Sequence, residues 1–238
     1  MGHTGSQRDL PRRRVLASIA AAGAVTATAS GLAAAFGGPD RQAGQRLDRV
    51  RLMTSGTGAP TLVAIDMQNV FASPSSGFFT PKFADAAAVI ERMLPAFGDR
   101  VIFTRFVAPA HPLGAWVSFY QEWPFALVAE SDPIYDLVAP FAETARTTVT
   151  ETTFRKWGAG LERAFGDSAE MVLTGIATDC CVLSSALAAA DAGVRVSVVA
   201  DASAGSTDAN SQRALAVMAL YGPLITITDS ASVLARLQ

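Results

Sequence analysis

From Thr61 onward, short runs of apolar and β-branched residues alternate with longer amphipathic stretches. Most of the short runs are apolar without strict alternation, as expected for a parallel sheet that is covered on both faces. They predict strands over 61–65, 100–104, 147–150, 170–174, 194–199 and 224–227, and the stretches between them predict helices over 82–97, 158–166, 181–192, 208–220 and 229–236. This alternation predicts a three-layer α/β/α fold with a doubly wound, six-stranded parallel sheet and right-handed crossovers.

Ligands of such sheets bind beyond the carboxyl ends of the strands, so the residues at those ends are the first candidates for chemistry. Asp66 directly follows the first strand, where a carboxylate serves either as a turn or helix cap or as a catalytic group. The segment GIATDCCV, residues 175–182, leads from the fourth strand into a helix. A buried cysteine packs as a small apolar residue, but one at a helix N-terminus has a stabilised thiolate. We therefore expect a lowered thiol pKa at Cys181 and N–H groups that could hold an oxyanion.

Charge divides the chain into two parts. Residues 1–52 carry eight arginines and three aspartates, whereas residues 53–238 carry 11 basic and 18 acidic residues, a formal charge of −7. Half of the whole chain is hydrophobic, and the 186 residues of the body suit one domain. Because the body has only two lysines and no basic stripe, nucleic acid is not expected as a partner.

The first 52 residues have two interpretations, and they are left out of the fold prediction. Arg12-Arg13-Arg14 precedes an uncharged, alanine-rich stretch over 15–39, which resembles a twin-arginine export signal. Met53 offers a second start just before the first strand, in which case the preceding segment is untranslated. Export would follow from the first interpretation and a cytoplasmic location from the second, and a reactive cysteine favours the reducing compartment. The apolarity rests on alanine and glycine, and no membrane association is expected.

The residues around Asp66 (IDMQN), an aromatic segment after the second strand, and GIATDCCV together resemble the isochorismatase-like cysteine hydrolases. This superfamily includes nicotinamidases, N-carbamoylsarcosine amidases and isochorismatases, and the resemblance covers about residues 60–230. The family pattern Gly-x-x-Thr-Asp-x-Cys-Val places its nucleophile on Cys181, and the family's strand-one aspartate falls on Asp66. The resemblance also implies a six-stranded parallel sheet, and a cis peptide at Ile176-Ala177 that brings the Ala177 N–H beside that of Cys181 as an oxyanion hole.

The resembling family carries a lysine at the end of the third strand, and this chain has a different residue at that position. Its pattern Lys-x-x-aromatic-Ser-Ala-Phe, aligned on Phe154 and Trp157, puts Glu151 in the lysine position. Two carboxylates near a thiolate would raise each other's proton affinity by like-charge repulsion. Either Lys156 reaches back from the loop, or Arg105 supplies the positive charge, or the site is weakened.

No metal or other cofactor is expected. Nicotinamidases carry an Asp-x-His pair after the second strand, but this chain has Phe106-Val107-Ala108 there. His111 is the only histidine of the body, and one imidazole does not make a transition-metal site.

Aromatic residues concentrate after the second strand, at Trp116, Phe119, Tyr120, Trp123 and Phe125. Rings at such spacing pack a core or a subunit contact, and in the resembling family this region helps to cover the active site. We expect both uses. The substrate pocket is expected to include Phe71, Arg105, Glu151, Trp116, Tyr120 and Thr178.

The resemblance implies a metal-independent hydrolase that cleaves a C–N bond of a small amide or ureido compound. Asp66 would accept the thiol proton, Cys181 would form a thioester, and the N–H groups of Ala177 and Cys181 would hold the oxyanion. Two alternatives stay open: a non-catalytic binder on the same fold, suggested by Glu151, and vinyl-ether hydrolysis of the isochorismatase type. The expected partners are a small-molecule substrate and, from the family, further copies of the chain in a dimer or tetramer.

Overall fold

The computed structural model describes residues 58–238, so the predicted leader over 1–52 and the alternative start at Met53 lie outside the described residues. Within residues 58–238, six parallel strands form one sheet in the order β3-β2-β1-β4-β5-β6. The strands are β1 (Thr61–Ile65), β2 (Val101–Phe106), β3 (Thr148–Glu151), β4 (Met171–Ile176), β5 (Val196–Ala204) and β6 (Ile225–Thr228). The predicted six-stranded, doubly wound parallel sheet is therefore confirmed.

Eight α-helices lie in the same described range, and five of them were predicted. Those five are α2 (Phe83–Phe97), α5 (Ala159–Phe165), α6 (Leu183–Asp191), α7 (Asp208–Ala219) and α8 (Ser230–Leu237). The three others are α1 (Asn69–Ala72), α3 (Ala115–Glu122) and α4 (Phe141–Thr144). The helices α1 and α4 are single turns. Helix α3 is rich in aromatic residues of modest helix propensity, so tertiary packing decides its conformation. None of the described helices has the length and apolarity needed to cross a membrane.

Alternate strand residues supply two hydrophobic cores, one on each face of the sheet. On β1, Leu62 and Ala64 face the core that contains α2 and α8, whereas Val63 and Ile65 face the core that contains α5, α6 and α7. All five residues of β1 are buried, because this strand lies in the middle of the sheet. The helices therefore cover both faces, which confirms the predicted three layers.

The ends of β1 and β4 approach each other closely at Gly175. This residue has a φ of +109°, and a Cβ on it would lie 2.2 Å from the carbonyl oxygen of Ile65, so only glycine fits. The order of the strands reverses direction between β1 and β4. On one side of this pair lie β2 and then β3, and on the other side lie β5 and then β6. Such a switch point leaves a crevice beyond the carboxyl ends of the strands, and the chain enters it after Ile65 and after Ile176.

Candidate active site

Asp66 directly follows β1, and two hydrogen bonds fix it in the crevice. Its side chain is fully buried, and its backbone lies in the left-handed region with a φ of 53°, a conformation that aspartate tolerates better than most residues. The Thr104 hydroxyl on β2 donates to Asp66 Oδ1 at 2.7 Å and accepts from the Asp66 N–H at 3.1 Å. Thr104 therefore holds both the backbone and the carboxylate of Asp66, and the sequence did not single it out.

Lys156 supplies the positive charge beside Asp66. Its Nζ lies 2.9 Å from Asp66 Oδ2, and both side chains have no solvent exposure. The ammonium also donates to the Thr153 carbonyl at 3.0 Å and lies 5.2 Å from the centre of the Phe106 ring. The Lys156 N–H donates to Ser185 Oγ at 2.9 Å, which anchors the loop on α6. Of the alternatives that the sequence left open, the structure places Lys156 at the aspartate.

Arg105 and Glu151 point elsewhere, although they were expected in the substrate pocket. The Arg105 guanidinium donates to the carbonyls of Tyr135 at 3.1 Å and Glu130 at 3.4 Å, on the loop that follows α3. The Glu151 carboxylate lies beside Gly158 and Gly160, where α5 begins. A carboxylate is favourable there because the first turn of a helix presents unpaired N–H groups and a partial positive charge.

Cys181 is buried and its thiol pKa is raised, so the expected lowering of that pKa is wrong. Burial makes the largest contribution, and the Asp66 carboxylate raises the pKa further, whereas the Lys156 ammonium lowers it. The cysteine lies in a π-helical turn over Thr178–Val182, before α6 begins. Desolvation and the neighbouring carboxylate therefore outweigh the Lys156 ammonium, and the pKa of the thiol lies above its ordinary value.

Ala177 stands between β4 and the π-helical turn. The Ile176–Ala177 peptide is cis, as the family resemblance implies. The Ala177 N–H has no hydrogen-bond acceptor among the described residues, and Ala177 and Cys181 line the same cavity. An N–H group without an acceptor, next to a thiol, is suited to binding a developing oxyanion.

An aromatic cavity of about 280 Å³ opens over Cys181 and Ala177. Its polar side chains are the two cysteines, Thr80 and Ser206, and none of the described residues with a charged side chain lines it. The remaining wall is almost entirely aromatic and consists of Phe71, Phe78, Phe79, Phe106, Phe119, Trp123 and Phe154.

Of the expected pocket residues, Phe71 lines the cavity, whereas Trp116, Tyr120 and Thr178 do not. Trp116 packs behind the lining, with ring centres 5.3 Å from Phe119 and 5.2 Å from Phe154. Tyr120 belongs to a hydrophobic core and is 2% exposed, and Thr178 is 1% exposed. On α3, Phe119 lines the cavity, whereas the next residue, Tyr120, is turned by about 100° around the helix axis and is buried.

The centre of the aromatic wall is Phe78, which the sequence prediction missed. Its ring centre lies 6.2 Å from Phe71, 6.1 Å from Phe119, 5.4 Å from Trp123 and 4.9 Å from Phe125. The signal available in the sequence was the pair Phe78-Phe79 in a loop that follows a strand end, where loops of α/β proteins carry binding residues.

Ser206 closes the cavity on the side of β5. Asp179 accepts from the Ser206 N–H at 2.8 Å and from its hydroxyl at 2.6 Å, and Asn210 Nδ2 donates to the same hydroxyl at 3.0 Å. Asp179 therefore ties the π-helical turn to the loop after β5. The described residues contain no group of three side chains suited to hold a metal ion, and His111 lies exposed in the loop after β2.

A buried thiol beside a buried carboxylate–ammonium pair, at the switch point of a doubly wound sheet, defines a cysteine-hydrolase type of site. The model of the Isochorismatase domain matches residues 60–230, so the chain belongs to the isochorismatase family and is a hydrolase, which confirms the resemblance. Among curated proteins, no sequence matches this chain.

Solved structures of the same architecture are distant in sequence and support the fold. A cysteine hydrolase from Pseudomonas syringae pv. phaseolicola 1448A is 18% identical, with a TM-score of 0.66, over 78% of this chain and 93% of that chain. An isochorismatase family protein from Desulfovibrio vulgaris subsp. vulgaris str. Hildenborough is 21% identical, with a TM-score of 0.64, over 76% and 99%. The nicotinamidase/pyrazinamidase PncA from Bacillus subtilis is 19% identical, with a TM-score of 0.59, over 72% and 100%.

Proposed function

We propose that this hydrolase cleaves the C–N bond of a small amide or ureido compound through a thioester on Cys181. The observation that carries the proposal is the buried pair of Asp66 and Lys156, 2.9 Å apart, close enough to the thiol to shift its pKa in opposite directions. Burying two charges is costly, and removing one of them is costlier still. Such a pair, buried beside a cysteine that lines a ligand-sized cavity, is typical of a catalytic site.

In the first half of the reaction, the Cys181 thiol transfers its proton to Asp66 while the sulfur attacks the carbonyl carbon. The carbonyl oxygen becomes an oxyanion, which the Ala177 and Cys181 N–H groups stabilise. When the oxyanion collapses, the C–N bond breaks and Asp66 returns the proton to the leaving nitrogen. Ammonia or an amine departs, and the acyl group stays on sulfur as a thioester.

In the second half, a water molecule attacks the thioester and gives one proton to Asp66. The C–S bond then breaks, the acid is released, and the sulfur recovers the proton from Asp66. In both halves, Lys156 compensates the negative charge on Asp66 and on the sulfur. The raised thiol pKa fits this sequence, since a protonated thiol needs a base only while it attacks.

The mechanism is tested by trapping the intermediate. Wild-type protein is incubated with a panel of amides and ureides, quenched in acid, and weighed intact by mass spectrometry. We expect an added acyl mass that hydroxylamine removes, present in Cys180→Ala and lost, together with turnover, in Cys181→Ala. Full turnover by Cys181→Ala would refute the covalent mechanism and favour direct hydrolysis of the isochorismatase type.

The expected dimer or tetramer stays a prediction. Residues exposed around α3 include Leu113, Val117, Leu127 and Val128, of which Leu113 is 78% exposed. Exposed apolar side chains of this kind are common where subunits meet. Light scattering of the purified protein across a dilution series measures the assembly directly.

A further inference from the structure

The aromatic wall of the cavity carries an inference about the substrate, which rests on the function proposed above. Reaction chemistry requires only that a carbonyl carbon reaches Cys181, whereas the rest of the cavity must match the acyl group. Much of the cavity wall is made by the rings of Phe78, Phe119, Trp123 and Phe154. The part of the substrate that fills the cavity is therefore in contact with aromatic rings.

These rings form a connected surface. Phe78 lies within 6.2 Å of Phe71, Phe119 and Trp123, measured between ring centres, and Phe119 lies 5.8 Å from Phe154. The interplanar angles run from 17° to 84°, so stacked and edge-to-face arrangements occur together. Surfaces of this kind accept a flat hydrocarbon ring through offset-stacked and edge contacts.

Charged substrates find no counter-ion in this cavity. Of the residues that the structure describes, none with an ionised side chain lines it, and the nearby ammonium of Lys156 is buried and paired with Asp66. The Ser206 hydroxyl is already held by Asp179 and Asn210. A carboxylate or ammonium on the acyl group would be desolvated without compensation, which strongly disfavours its binding.

We infer that the substrate is the primary carboxamide of an uncharged hydrocarbon acid with a single aromatic ring. The ring occupies the space enclosed by the phenylalanines, and the carboxamide carbon lies at Cys181. The cavity volume of about 280 Å³ lies at the small end of the range for ligand pockets and accommodates an amide with one ring. A ring nitrogen, as in nicotinamide, would face aromatic carbon over most of this wall, where it loses its hydrogen bonds to water, and only the few polar side chains such as Thr80 could replace them.

The test compares amides that differ in charge and ring. Ammonia release from the full chain is measured with benzamide, phenylacetamide, nicotinamide, acetamide and succinamate. We expect kcat/KM for benzamide or phenylacetamide to exceed that for succinamate by about 100-fold or more, and that for nicotinamide by roughly tenfold. Succinamate or nicotinamide hydrolysed faster than both hydrocarbon amides would overturn the inference while leaving the proposed function intact.

A binding measurement separates the inference from the reaction. Trp123 lines the cavity, so saturable quenching of tryptophan fluorescence by benzamide is followed in Cys181→Ala protein, which cannot turn over. We expect benzamide to bind and succinamate not to bind, even if ammonia release is absent from every amide. Absence of saturable benzamide binding, or succinamate binding as tight as that of benzamide, contradicts the inference whatever the fate of the proposed function.

Enlarging the cavity gives a second, independent readout. Phe78→Ala removes the central ring, so we expect the ratio of kcat/KM for 2-naphthamide to that for benzamide to rise about tenfold. Phe119→Ala provides the same test if the first variant fails to fold. Tyr221→Ala is the matched control, because Tyr221 is 40% exposed and does not line the cavity. An unchanged ratio in both folded variants would contradict the placement of the ring.

Discussion

Replacing Lys156 with methionine tests whether the buried pair is electrostatically essential. The substitution keeps an unbranched side chain of similar length and removes the charge, which leaves Asp66 buried opposite an apolar group. Because neither side chain has any solvent exposure, water cannot take the place of the ammonium. Breaking such a pair costs about 3–5 kcal/mol, which for a domain of this size lowers Tm by roughly 6–20 °C.

The assay is urea unfolding followed by circular dichroism, together with amide turnover in the absence of denaturant. Lys82→Met is the matched control, since Lys82 is the other lysine of the described residues. Its Nζ lies 2.8 Å from the Asp208 carboxylate, and both side chains of this pair are exposed. We expect no shift of the unfolding midpoint for Lys82→Met. Turnover should fall by at least about 100-fold in Lys156→Met, because the base and the sulfur both lose their counter-ion.

A double-mutant cycle completes this test. Asp66→Asn alone leaves the ammonium uncompensated, whereas Asp66→Asn with Lys156→Met removes both charges. The double variant should be more stable than the sum of the single losses predicts, with a coupling energy of about 2 kcal/mol or more. A Lys156→Met protein as stable and as active as Lys82→Met would refute the reasoning.

Four further changes have defined outcomes. Thr104→Val removes the hydroxyl that donates to Asp66 at 2.7 Å. We expect kcat to fall about tenfold and the free energy of unfolding to fall by about 1–3 kcal/mol. An unchanged kcat would show that Asp66 needs no positioning by Thr104. Tyr120→Phe removes a buried hydroxyl that has no hydrogen-bond partner among the described residues. We expect the free energy of unfolding, measured in urea, to increase by about 1 kcal/mol. Burial also raises the Tyr120 pKa to about 12, so as pH rises the tyrosine ionises first in the unfolded state. The free energy of unfolding of the wild type should therefore fall as pH rises above about 10, and that of Tyr120→Phe should fall less. Glu151→Lys should give no gain of activity, because Lys156 already occupies the space beside Asp66, and a large gain would support a lapsed enzyme. Alkylation of Cys181 by iodoacetamide, in Cys180→Ser protein, should rise about tenfold per pH unit and continue beyond pH 9, and a plateau near pH 8 would contradict the raised thiol pKa.

The sheet could be predicted because its two central strands, β1 and β4, are almost wholly apolar. β1 and β4 are buried at every position, so their sequences are continuous runs of mostly apolar residues. Such runs differ from the spaced apolar positions of the amphipathic helices beside them in the sequence. The helix α3 could not be predicted in the same way, since its aromatic residues have modest helix propensity and are ordered by contacts with Phe78 and Phe154.

Prediction of the site was limited to residues that strand ends place together. Asp66 and Cys181 follow two central strands and meet wherever that sheet forms. Lys156 lies five residues beyond the expected position, and its contact with Asp66 depends on how the loop after β3 returns to the sheet. Thr104 acts through a hydroxyl that is one of several polar groups on β2, and the thiol pKa depends on burial, which local sequence does not specify.

The return of this loop has a consequence for how the site is lost. The same short segment carries Phe154, which forms part of the aromatic wall, and Lys156, which compensates Asp66. A local opening of the segment would therefore remove the counter-ion and one side of the binding cavity in a single event. Substrate binding and charge compensation therefore depend on the conformation of one short segment of the chain.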